Sequence, residues 1–447
     1  MSEANQPPKE GGVDAPTRHA LDWKKRSFYD ESQLTAELTR VFDICHSCRR
    51  CFSLCQAFPT LFDAIDESET GELDSVDRKV YWDVAQHCYL CDLCYMTKCP
   101  YVPPHPFNVD FPHLMLRAKA VHFEKHGARR RDRLLSDTDT VGRFAGIPIV
   151  AETINAASNN TVARRALEKV GGIHRDAVLP PFSGGDIRKK LPAVDNPEPV
   201  PTAGTRGRVA VFLTCYGSRN APEIVEDLFK VFSHNGIEVR PTVQERCCGM
   251  PKLELGDLKA VEAAKEFNVP RLAELVAAGY DLVAPVPSCV LMFKQELPLL
   301  FAGDETVETV ARHFYDPFEY LMLRHREGLL STSFTQSLGR VAYHAPCHLR
   351  VQNIGLKTRD LLELVPDTEV SLVERCSGHD GTYAVKKEFH DVSMKIGRPV
   401  FRQMKAVEAD HYTSDCPMAA AQIEAGMQAT NAPKNPLTLL RLAYGLA

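Results

Sequence analysis

Eight cysteines in two short runs are the residues of this 447-residue sequence with the clearest chemical signature. The runs read CHSCRRCFSLC and CYLCDLCYMTKCP, and they supply Cys45, Cys48, Cys51, Cys55, Cys88, Cys91, Cys94 and Cys99. Three cysteines at every third position bind three corners of a 4Fe-4S cluster, while a more distant fourth cysteine binds a second cluster. The spacing therefore predicts two 4Fe-4S clusters with crossed ligand sets.

The crossed arrangement assigns four thiolates to each cluster. One predicted set is Cys45, Cys48, Cys51 and Cys99, and the other is Cys88, Cys91, Cys94 and Cys55. Two details depart from the usual pattern: Gln56 stands where a proline usually follows the first run, and four residues rather than three precede Cys99. Zinc sites or disulfides are the alternatives, but zinc sites usually use separated cysteine pairs.

Composition limits where the protein works and what it binds. The formal net charge of -5 gives no indication of nucleic-acid binding. The N-terminal stretch lacks an apolar secretory core, and no run approaches the roughly 18 apolar residues of a membrane span. We expect a cytoplasmic protein, either soluble or peripheral on the inner face of the cytoplasmic membrane.

The first half of the chain divides into three predicted regions. Residues 1–31 are expected to be disordered or extended, residues 32–117 to form the two-cluster module, and residues 118–205 to form a helical connector ending in a Pro/Gly-rich linker. Within the connector, the basic run around Arg130 is interpreted as a solvated helix face. The amphipathic segment VARRALEKVGG is interpreted as an ordinary packing helix, with membrane contact left open.

The second half of the chain repeats itself. VAVFLTCYGSRN corresponds to VAYHAPCHLRVQN, RCCGMP to RCSGHDG, and VPSC to TSDC. The matched positions are Cys215 with Cys347, Cys247 with Cys376, Cys248 with Ser377, Gly249 with Gly378, and Cys289 with Cys416. We interpret residues 206–335 and 336–447 as two diverged copies of one unit.

Each copy alternates strands with helices. Strands are predicted at 209–213, 237–240, 281–286, 370–373 and 411–414, and helices at 222–234 and 258–278. This order implies a largely parallel sheet, whose carboxyl strand ends bind ligands. The cysteines of the first copy (Cys215, Cys247, Cys248, Cys289) and of the second (Cys347, Cys376, Cys416) should converge at these ends as metal ligands. Ordinary buried cysteines are the alternative.

Together, the two cysteine runs, the linker, and the motifs HAPCH and CSGHDGTYAVKKE resemble the Cys-Cys-Gly iron–sulfur family. This family includes the C subunit of anaerobic glycerol-3-phosphate dehydrogenase, the iron–sulfur subunits of glycolate and lactate oxidation systems, and heterodisulfide reductase. The resemblance implies an α+β and α/β fold, with a helical two-cluster ferredoxin-like module before a duplicated α/β Cys-Cys-Gly domain.

Several cysteines of the full family motif are replaced here. Met292 and Ala419 stand where a final cysteine is expected, and Ser377 replaces the second cysteine of a pair. The first copy keeps four thiols and the second keeps three. A further iron–sulfur cluster or zinc is therefore predicted in the repeats, with His348, His379, water or substrate as candidates for the fourth position of the second.

The resemblance implies an electron-transfer protein of an oxidoreductase complex rather than a complete dehydrogenase. No dinucleotide or flavin motif is convincing, and hydride chemistry requires an organic cofactor. The expected partner is a flavoprotein dehydrogenase of the glycerol-3-phosphate, glycolate or lactate type, and the expected acceptor is a quinone or another carrier. The alternative is a reductase that acts on a disulfide or peroxide-type acceptor at the C-terminal site.

Overall fold

The computed structural model describes residues 16–193, 197–428 and 432–447, which fall into two compact units. The first unit contains the residues up to Ala128 together with Leu253–Leu258 and Leu299–Ala302. The second unit contains Arg129–Lys252, Lys259–Pro298 and Gly303–Ala447. No helix in these described stretches is long and apolar enough to cross a membrane.

The first unit is helical. Its helices are α1 (Glu31–Cys48), α2 (Ala57–Asp66), α3 (Lys79–His87), α4 (Leu93–Thr97) and α5 (Phe111–His126). Apolar residues recur at helical spacing in α2, where Phe58, Leu61, Phe62 and Ile65 are buried. Helix α1 begins at Asp30, whose side chain accepts a hydrogen bond from the N–H of Gln33. The predicted N-terminal helical module is consistent with this arrangement.

The described residues before α1 pack within the first unit and do not form a long helix. Trp23 is buried, donates its indole N–H to the carbonyl of Leu300 at 2.9 Å, and packs edge-on against Phe301. A single 3₁₀ turn covers Arg26–Tyr29. Of the tail predicted to be disordered or extended, residues 1–15 lie outside the described residues.

The second unit begins with four short helices and an irregular segment. The helices are α6 (Arg130–Ser136), α7 (Thr138–Ala145), α8 (Pro148–Ser158) and α9 (Thr161–Gly171). From 172 to 207 the described chain has only a 3₁₀ turn at Ile187–Lys189 and one bridge between Ile173 and Lys386. Apart from 206 and 207, these residues lie within the range 118–205 that the sequence assigns to the connector and linker.

The first repeat then builds a four-stranded parallel sheet. Its elements are β1 (Arg208–Val211), α10 (Cys215–Arg219), α11 (Pro222–His234), β2 (Glu238–Pro241), α12 (Met250–Leu255), α13 (Leu258–Ala277), β3 (Asp281–Val283), α14 (Pro287–Leu291), a π-helical segment (Met292–Glu296), α15 (Leu297–Leu300), α16 (Glu305–Arg312), β4 (Phe314–Tyr315) and α17 (Pro317–Arg326). The strand order is β2-β1-β3-β4, and Val209 pairs with both Val239 and Asp281.

The second repeat forms a three-stranded parallel sheet of the same order. Its elements are β5 (Gly339–His344), α18 (Cys347–Arg350), α19 (Lys357–Leu362), β6 (Thr368–Val373), α20 (His390–Ala406), β7 (His411–Ser414), α21 (Pro417–Met427) and α22 (Pro436–Ala443). The order β6-β5-β7 places Val341 between Val370 and His411. The equivalent residue of the first repeat, Val209, occupies the same central position, as expected for a duplication.

The predicted alternation of strands and helices is confirmed, and element ends differ by a few residues at most. Helix α11 covers the predicted 222–234, and Gly236 just beyond it has a φ of 69°. Strand β3 ends at Val283 rather than at 286, because Pro285 and Pro287 have no N–H for a ladder. Apolar strands and helices pack into the cores of the repeats, with β1 fully buried at Val209 and Val211.

A buried carboxyl at the start of α17 makes the stability of this unit depend on pH. Asp316 caps α17 by accepting from the N–H groups of Phe318 and Glu319. Burial raises its pKa to about 8, with Asp415 and Glu319 adding to the effect. Because the folded state holds a proton that the unfolded chain releases near pH 4, stability falls as pH rises from about 4 to 8.

Asp316→Asn is expected to flatten this pH dependence, since asparagine still caps a helix but does not titrate. The contribution of Asp316 has a slope of at most about 1.4 kcal/mol per pH unit. Thermal melting of both proteins at pH 5 and pH 8 measures it. The drop in melting temperature between the two pH values should be smaller in the variant, and equal drops would contradict the assignment.

Candidate metal centres

The eight N-terminal cysteines lie where helices end and loops turn. Cys45 and Cys48 are in the last turns of α1, and Cys94 is in α4. The other five lie in the adjoining loops, at Cys51, Cys55, Cys88, Cys91 and Cys99. Three residues of these loops, Arg49, Leu90 and Asp92, have φ values of 55°, 53° and 60°. These left-handed residues turn the chain sharply, so that thiols three residues apart lie close together.

The buried thiols of Cys45 and Cys94 each have neighbours from both cysteine runs. The two predicted sets are called here the first thiol group (Cys45, Cys48, Cys51 and Cys99) and the second thiol group (Cys88, Cys91, Cys94 and Cys55). Burial and the nearby Cys99, Cys51 and Cys48 raise the pKa of Cys45 well above its usual range. The pKa of Cys94 is raised in the same way, by burial and by Cys51, Cys91, Cys88 and Cys55. Crowded buried thiols of this kind ionise only when cationic metal compensates their charge.

Backbone and side-chain groups around the first thiol group favour bound thiolates. The N–H groups of Tyr101 and Val102 donate to the sulfur of Cys99, which offsets part of the effect of burial. Lys98 and Arg50 likewise oppose the burial and the neighbouring thiols that raise the pKa of Cys51 to about 12. Hydrogen bonds and positive charge at sulfur are the protein's means of setting a cluster's potential.

Arg18 links two carboxylates beside the second cysteine run. Its Nη1 lies 2.5 Å from Oδ2 of Asp92, and its Nε lies 2.9 Å from Oδ2 of Asp110. Asp92 is the left-handed residue between Cys91 and Cys94, so this ion pair fixes the loop. Sequence reasoning missed Arg18, because the arginine lies in the segment expected to be disordered or extended.

The four cysteines of the first repeat converge beyond the carboxyl ends of the strands. Cys215 begins α10 after β1, Cys247 and Cys248 follow β2, and Cys289 lies in α14 after β3. Their thiols form a chain of hydrogen-bonding neighbours, from Cys215 to Cys247, Cys248 and Cys289. Thr214, immediately before Cys215, has a φ of 64°, which is a strained backbone conformation for a β-branched residue. Backbone strain of this kind is common at functional sites.

Cys247 is the most acidic member of this chain. Hydrogen bonds from Cys215 and Cys248 lower its pKa well below the usual range, and the N–H of Gly249 adds to them. The thiols of Cys215 and Cys248 are correspondingly held in the protonated form. Four thiolates packed this closely would require metal to offset their charge.

A cavity of about 780 Å³ opens beside Cys215 and Cys247. Helix α7 contributes Asp139, whose Oδ1 accepts from the N–H of Cys247 at 2.9 Å. Glu245 accepts from the N–H of Leu213 at 3.0 Å, and burial raises its pKa. The arginines lining the cavity are Arg143, Arg188, Arg219 and Arg246. The predicted connector and linker thus supply part of this site, which sequence reasoning did not anticipate.

The three cysteines of the second repeat also lie together. Cys347 begins α18, and its pKa is raised well above the usual range by burial and by Cys376, Cys416 and Asp380. Burial raises the pKa of Cys376 to about 11, although the N–H of Gly378 donates to its sulfur at 3.3 Å. Burial also raises the pKa of Cys416 to about 11, although two backbone N–H groups at the start of α21 hydrogen-bond to its sulfur and lower the pKa.

The histidines near the second repeat's cysteines differ in their contacts. His344 uses both ring nitrogens within the fold, at 3.0 Å from the hydroxyl of Ser414 and 2.9 Å from the carbonyl of Arg375. His379 is buried, and burial lowers its pKa to about 4. The carboxylate of Asp380 faces both Cys347 and Cys376, and sequence reasoning did not single it out.

The two repeats meet near their cysteines. The hydroxyl of Ser288, next to Cys289, lies 2.7 Å from Nδ1 of His348, next to Cys347. Cys289 also acts electrostatically on Cys416, and Cys416 on Tyr216. The two thiol groups are therefore electrostatic neighbours rather than isolated sites.

Within the described residues, no group of three or more Cys, His, Asp or Glu side chains is arranged to hold a single metal ion. Thiolates bind a four-iron cluster at its corners rather than around one ion, so a four-thiol group is the relevant donor set. The two N-terminal groups and the first repeat each supply four thiols, and the donor chemistry fits iron–sulfur clusters.

Paired parallel sheets with cysteines at matching strand ends define a protein with two cysteine-rich domains. The cysteine-rich domain family, abbreviated CCG, matches residues 209–294 and 341–424. These ranges hold all seven cysteines of the two repeats, so the chain carries two copies of the CCG domain.

Two relatives align along more than three quarters of the chain, and a third aligns along about half of it. The chain is 29% identical to the C subunit of anaerobic glycerol-3-phosphate dehydrogenase from Escherichia coli K12, over 76% of this chain and 83% of that protein. It is 23% identical to the glycolate oxidase iron-sulfur subunit of the same strain, over 79% and 86%. Lactate utilization protein A of Geobacillus kaustophilus is 28% identical over 47% of this chain and 87% of that protein.

Proposed function

We propose that this chain is an iron–sulfur electron-transfer subunit of an oxidoreductase. The single observation that carries the proposal is that buried Cys45 and Cys94 each have thiol neighbours from both cysteine runs, including Cys99 beside Cys45 and Cys55 beside Cys94. When bound, 4Fe-4S clusters accept and release one electron at a time. The first thiol group would hold one cluster and the second thiol group its neighbour.

Contact between the two groups supports a short path for electrons. Cys51 of the first group acts electrostatically on the buried thiol of Cys94 in the second. The N–H donors at Cys99 and the cations near Cys51 favour the more reduced state of the first site, since both stabilise added negative charge. Residues 32–117 would thus form the ferredoxin-like module of the chain.

A flavoprotein dehydrogenase is the partner that the relatives support, of the glycerol-3-phosphate, glycolate or lactate type. The acceptor on the other side would be a quinone or another carrier, with the chain cytoplasmic or peripheral on the inner face of the membrane. The sequence has no convincing flavin motif, so the flavoprotein partner would supply the hydride chemistry.

The CCG domains would hold the site of electron exchange with that acceptor. In the first domain the four ligands would be Cys215, Cys247, Cys248 and Cys289. In the second domain they would be Cys347, Cys376 and Cys416, for iron–sulfur or zinc. Asp380 and His379 are the nearby groups able to complete the second set, and Asp380 is favoured because its charge reaches two of the three thiols.

A reductase for a disulfide or peroxide-type acceptor is the second candidate function. The cavity beside Cys215 and Cys247 supports it, because its volume of about 780 Å³ is large enough for a small molecule. The carboxyls Asp139 and Glu245 lie in the same cavity, and burial raises the pKa of each. A raised pKa makes a carboxyl a weaker acid, which suits a group that would pass protons to a disulfide during its reduction.

Iron, sulfide and zinc content, with low-temperature electron paramagnetic resonance of the dithionite-reduced protein, tests the proposal. Anaerobically purified protein should contain about eight irons per chain in two interacting clusters, and about twelve if the first CCG domain is also loaded. A signal that changes on adding a disulfide, but not a quinone, would favour the reductase. Protein that binds no iron under these conditions would contradict both functions.

A further inference from the structure

Exposed large apolar side chains concentrate in one short part of the second unit. Among the described residues, ten large hydrophobic side chains are strongly exposed, and six of them lie in helices α6–α9 or between them. These six are Leu134, Phe144, Ile147, Ile149, Val162 and Val170, with exposures from 49% to 90%. Single exposed apolar residues are ordinary, but a concentration of this kind marks an interaction surface.

Helix α9 buries charged side chains and exposes apolar ones, which is the reverse of an ordinary surface helix. Its Arg164 and Glu168 are only 7% and 6% exposed, while Val162 and Val170 are 71% and 90% exposed. Arg164 is held by the carbonyls of residues 174, 175 and 177, and Glu168 by Arg175 at 2.6 Å. Val162, Ala166 and Val170 are spaced four residues apart, so they form one apolar stripe on the exposed face.

The turn between α7 and α8 adds a second apolar element. Phe144 and Ile147 are linked by a hydrogen bond from the N–H of Ile147 to the carbonyl of Phe144, at 3.2 Å. They are 67% and 49% exposed, and Ile149, at the start of α8, is 76% exposed. Pro148 begins α8 and fixes the turn that presents these side chains.

Positive charge surrounds these apolar side chains. Within residues 130–171 the exposed cationic residues are Arg130, Arg133, Arg143, Arg165 and Lys169, whereas the exposed anionic residue is Glu152 alone. The carboxylates of Asp132 and Glu168 are engaged within the fold, in the pairs Asp132–Arg131 and Glu168–Arg175. The positive excess is local, because the whole chain has a formal net charge of -5.

We propose that helices α6–α9 bind the surface of an anionic lipid bilayer. Apolar side chains would enter the interface, while the interspersed arginines and lysine would meet anionic headgroups. A protein partner is less favoured, because protein interfaces concentrate their binding energy in central residues that are often aromatic. Phe144 is the sole aromatic residue among the six exposed apolar side chains. The proposal thus assigns a membrane contact to the segment VARRALEKVGG, for which the sequence analysis left that contact open.

Co-sedimentation of the full, iron-loaded chain with lipid vesicles tests this surface. The wild-type protein should bind vesicles made of phosphatidylcholine with one quarter phosphatidylglycerol. It should bind vesicles of pure phosphatidylcholine much less, and high salt should weaken its binding to the anionic vesicles. The double variant Phe144→Ser/Ile149→Ser should bind at least about tenfold more weakly, because two large apolar side chains are lost from the interface.

Val243→Ser is the matched control, because Val243 is an equally exposed apolar residue, at 71%, outside helices α6–α9. It should bind vesicles like the wild type. Wild-type protein that does not bind anionic vesicles, or a double variant that binds them normally, would overturn the proposal. Cross-linking of this surface to a protein partner in place of vesicle binding would overturn it as well.

The vesicle result is separate from the electron-transfer function. None of the six apolar residues is a candidate cluster ligand, so iron content and paramagnetic signals of the double variant should equal those of the wild type. Unchanged iron with lost vesicle binding supports the membrane surface. Vesicle binding by a protein that carries no iron would leave the surface intact and contradict the electron-transfer function alone.

Discussion

Cys94→Ser is expected to lower the iron content by about four atoms per chain and to abolish the interaction between the two N-terminal clusters. Cys94 is buried in α4, and its thiol neighbours four other cysteines. A serine hydroxyl ionises far less readily than a thiol and is a harder ligand, so it does not replace the thiolate. Iron and acid-labile sulfide, with spectra of the reduced protein, measure the loss.

Thr97→Ser provides the control for this substitution. Thr97 lies in the same short helix, one turn from Cys94, and its hydroxyl donates to the carbonyl of Leu93 at 2.7 Å. Serine keeps that hydrogen bond, so iron content should stay at the wild-type value. If Cys94→Ser retains all of its iron, the assignment of the second thiol group is wrong.

Gly378→Ala is expected to destabilise the second CCG domain by at least about 3 kcal/mol. Gly378 has a φ of 77°, and an added Cβ would lie 2.1 Å from the carbonyl oxygen of Ser393, in the backbone of α20. The same region is fixed by the hydroxyl of Ser393, which donates to the carbonyl of Gly378 at 2.7 Å. A backbone atom in a helix cannot give way without moving the helix, so Cys376 would be displaced too.

The duplicated chain provides its own control at Gly249. This glycine occupies the same motif position in the first repeat and has a φ of 102°. An added Cβ there would lie 3.5 Å from the nearest atom, the flexible Cε of Met292, so only backbone strain of about 1–3 kcal/mol is expected. Thermal or urea unfolding of the two variants should show the larger loss for Gly378→Ala. Equal losses would mean that close packing against α20 is not the cause.

Local patterns predicted most of the fold of the two repeats. The bounds of α11 and β7 agree with the sequence prediction. Asn235-Gly236 ends the helix, and the repeat places a strand before Cys416 as it places β3 before Cys289. Cysteines placed after strands converge at one edge, because parallel strands point their carboxyl ends the same way. The crossed assignment of Cys55 and Cys99 rests on spacing, and it stays a prediction together with iron binding by these residues.

Long-range contacts were the part that spacing did not reveal. Asp139 contacts the N–H of Cys247 from 108 residues away in the chain, and Arg18 reaches Asp110 over 92 residues. Neither residue lies in a motif, and a short helix or an irregular segment carries no periodic signal that points to its partner. Asp380 differs from these two residues because it lies within the motif CSGHDGTYAVKKE of the second repeat. Of these three contacts, only its proximity to Cys376 was indicated by a sequence motif.

The chain of thiols in the first repeat has a consequence for how the protein matures. A lowered pKa makes Cys247 the first of these thiols to ionise before metal is inserted, and thiolates are the form that oxidants attack. A disulfide from Cys247 to either neighbour in the hydrogen-bonded chain would remove two of the four candidate ligands. We therefore expect exposure of the metal-free chain to air to lower the number of thiols in the first repeat that can bind metal, beginning with Cys247.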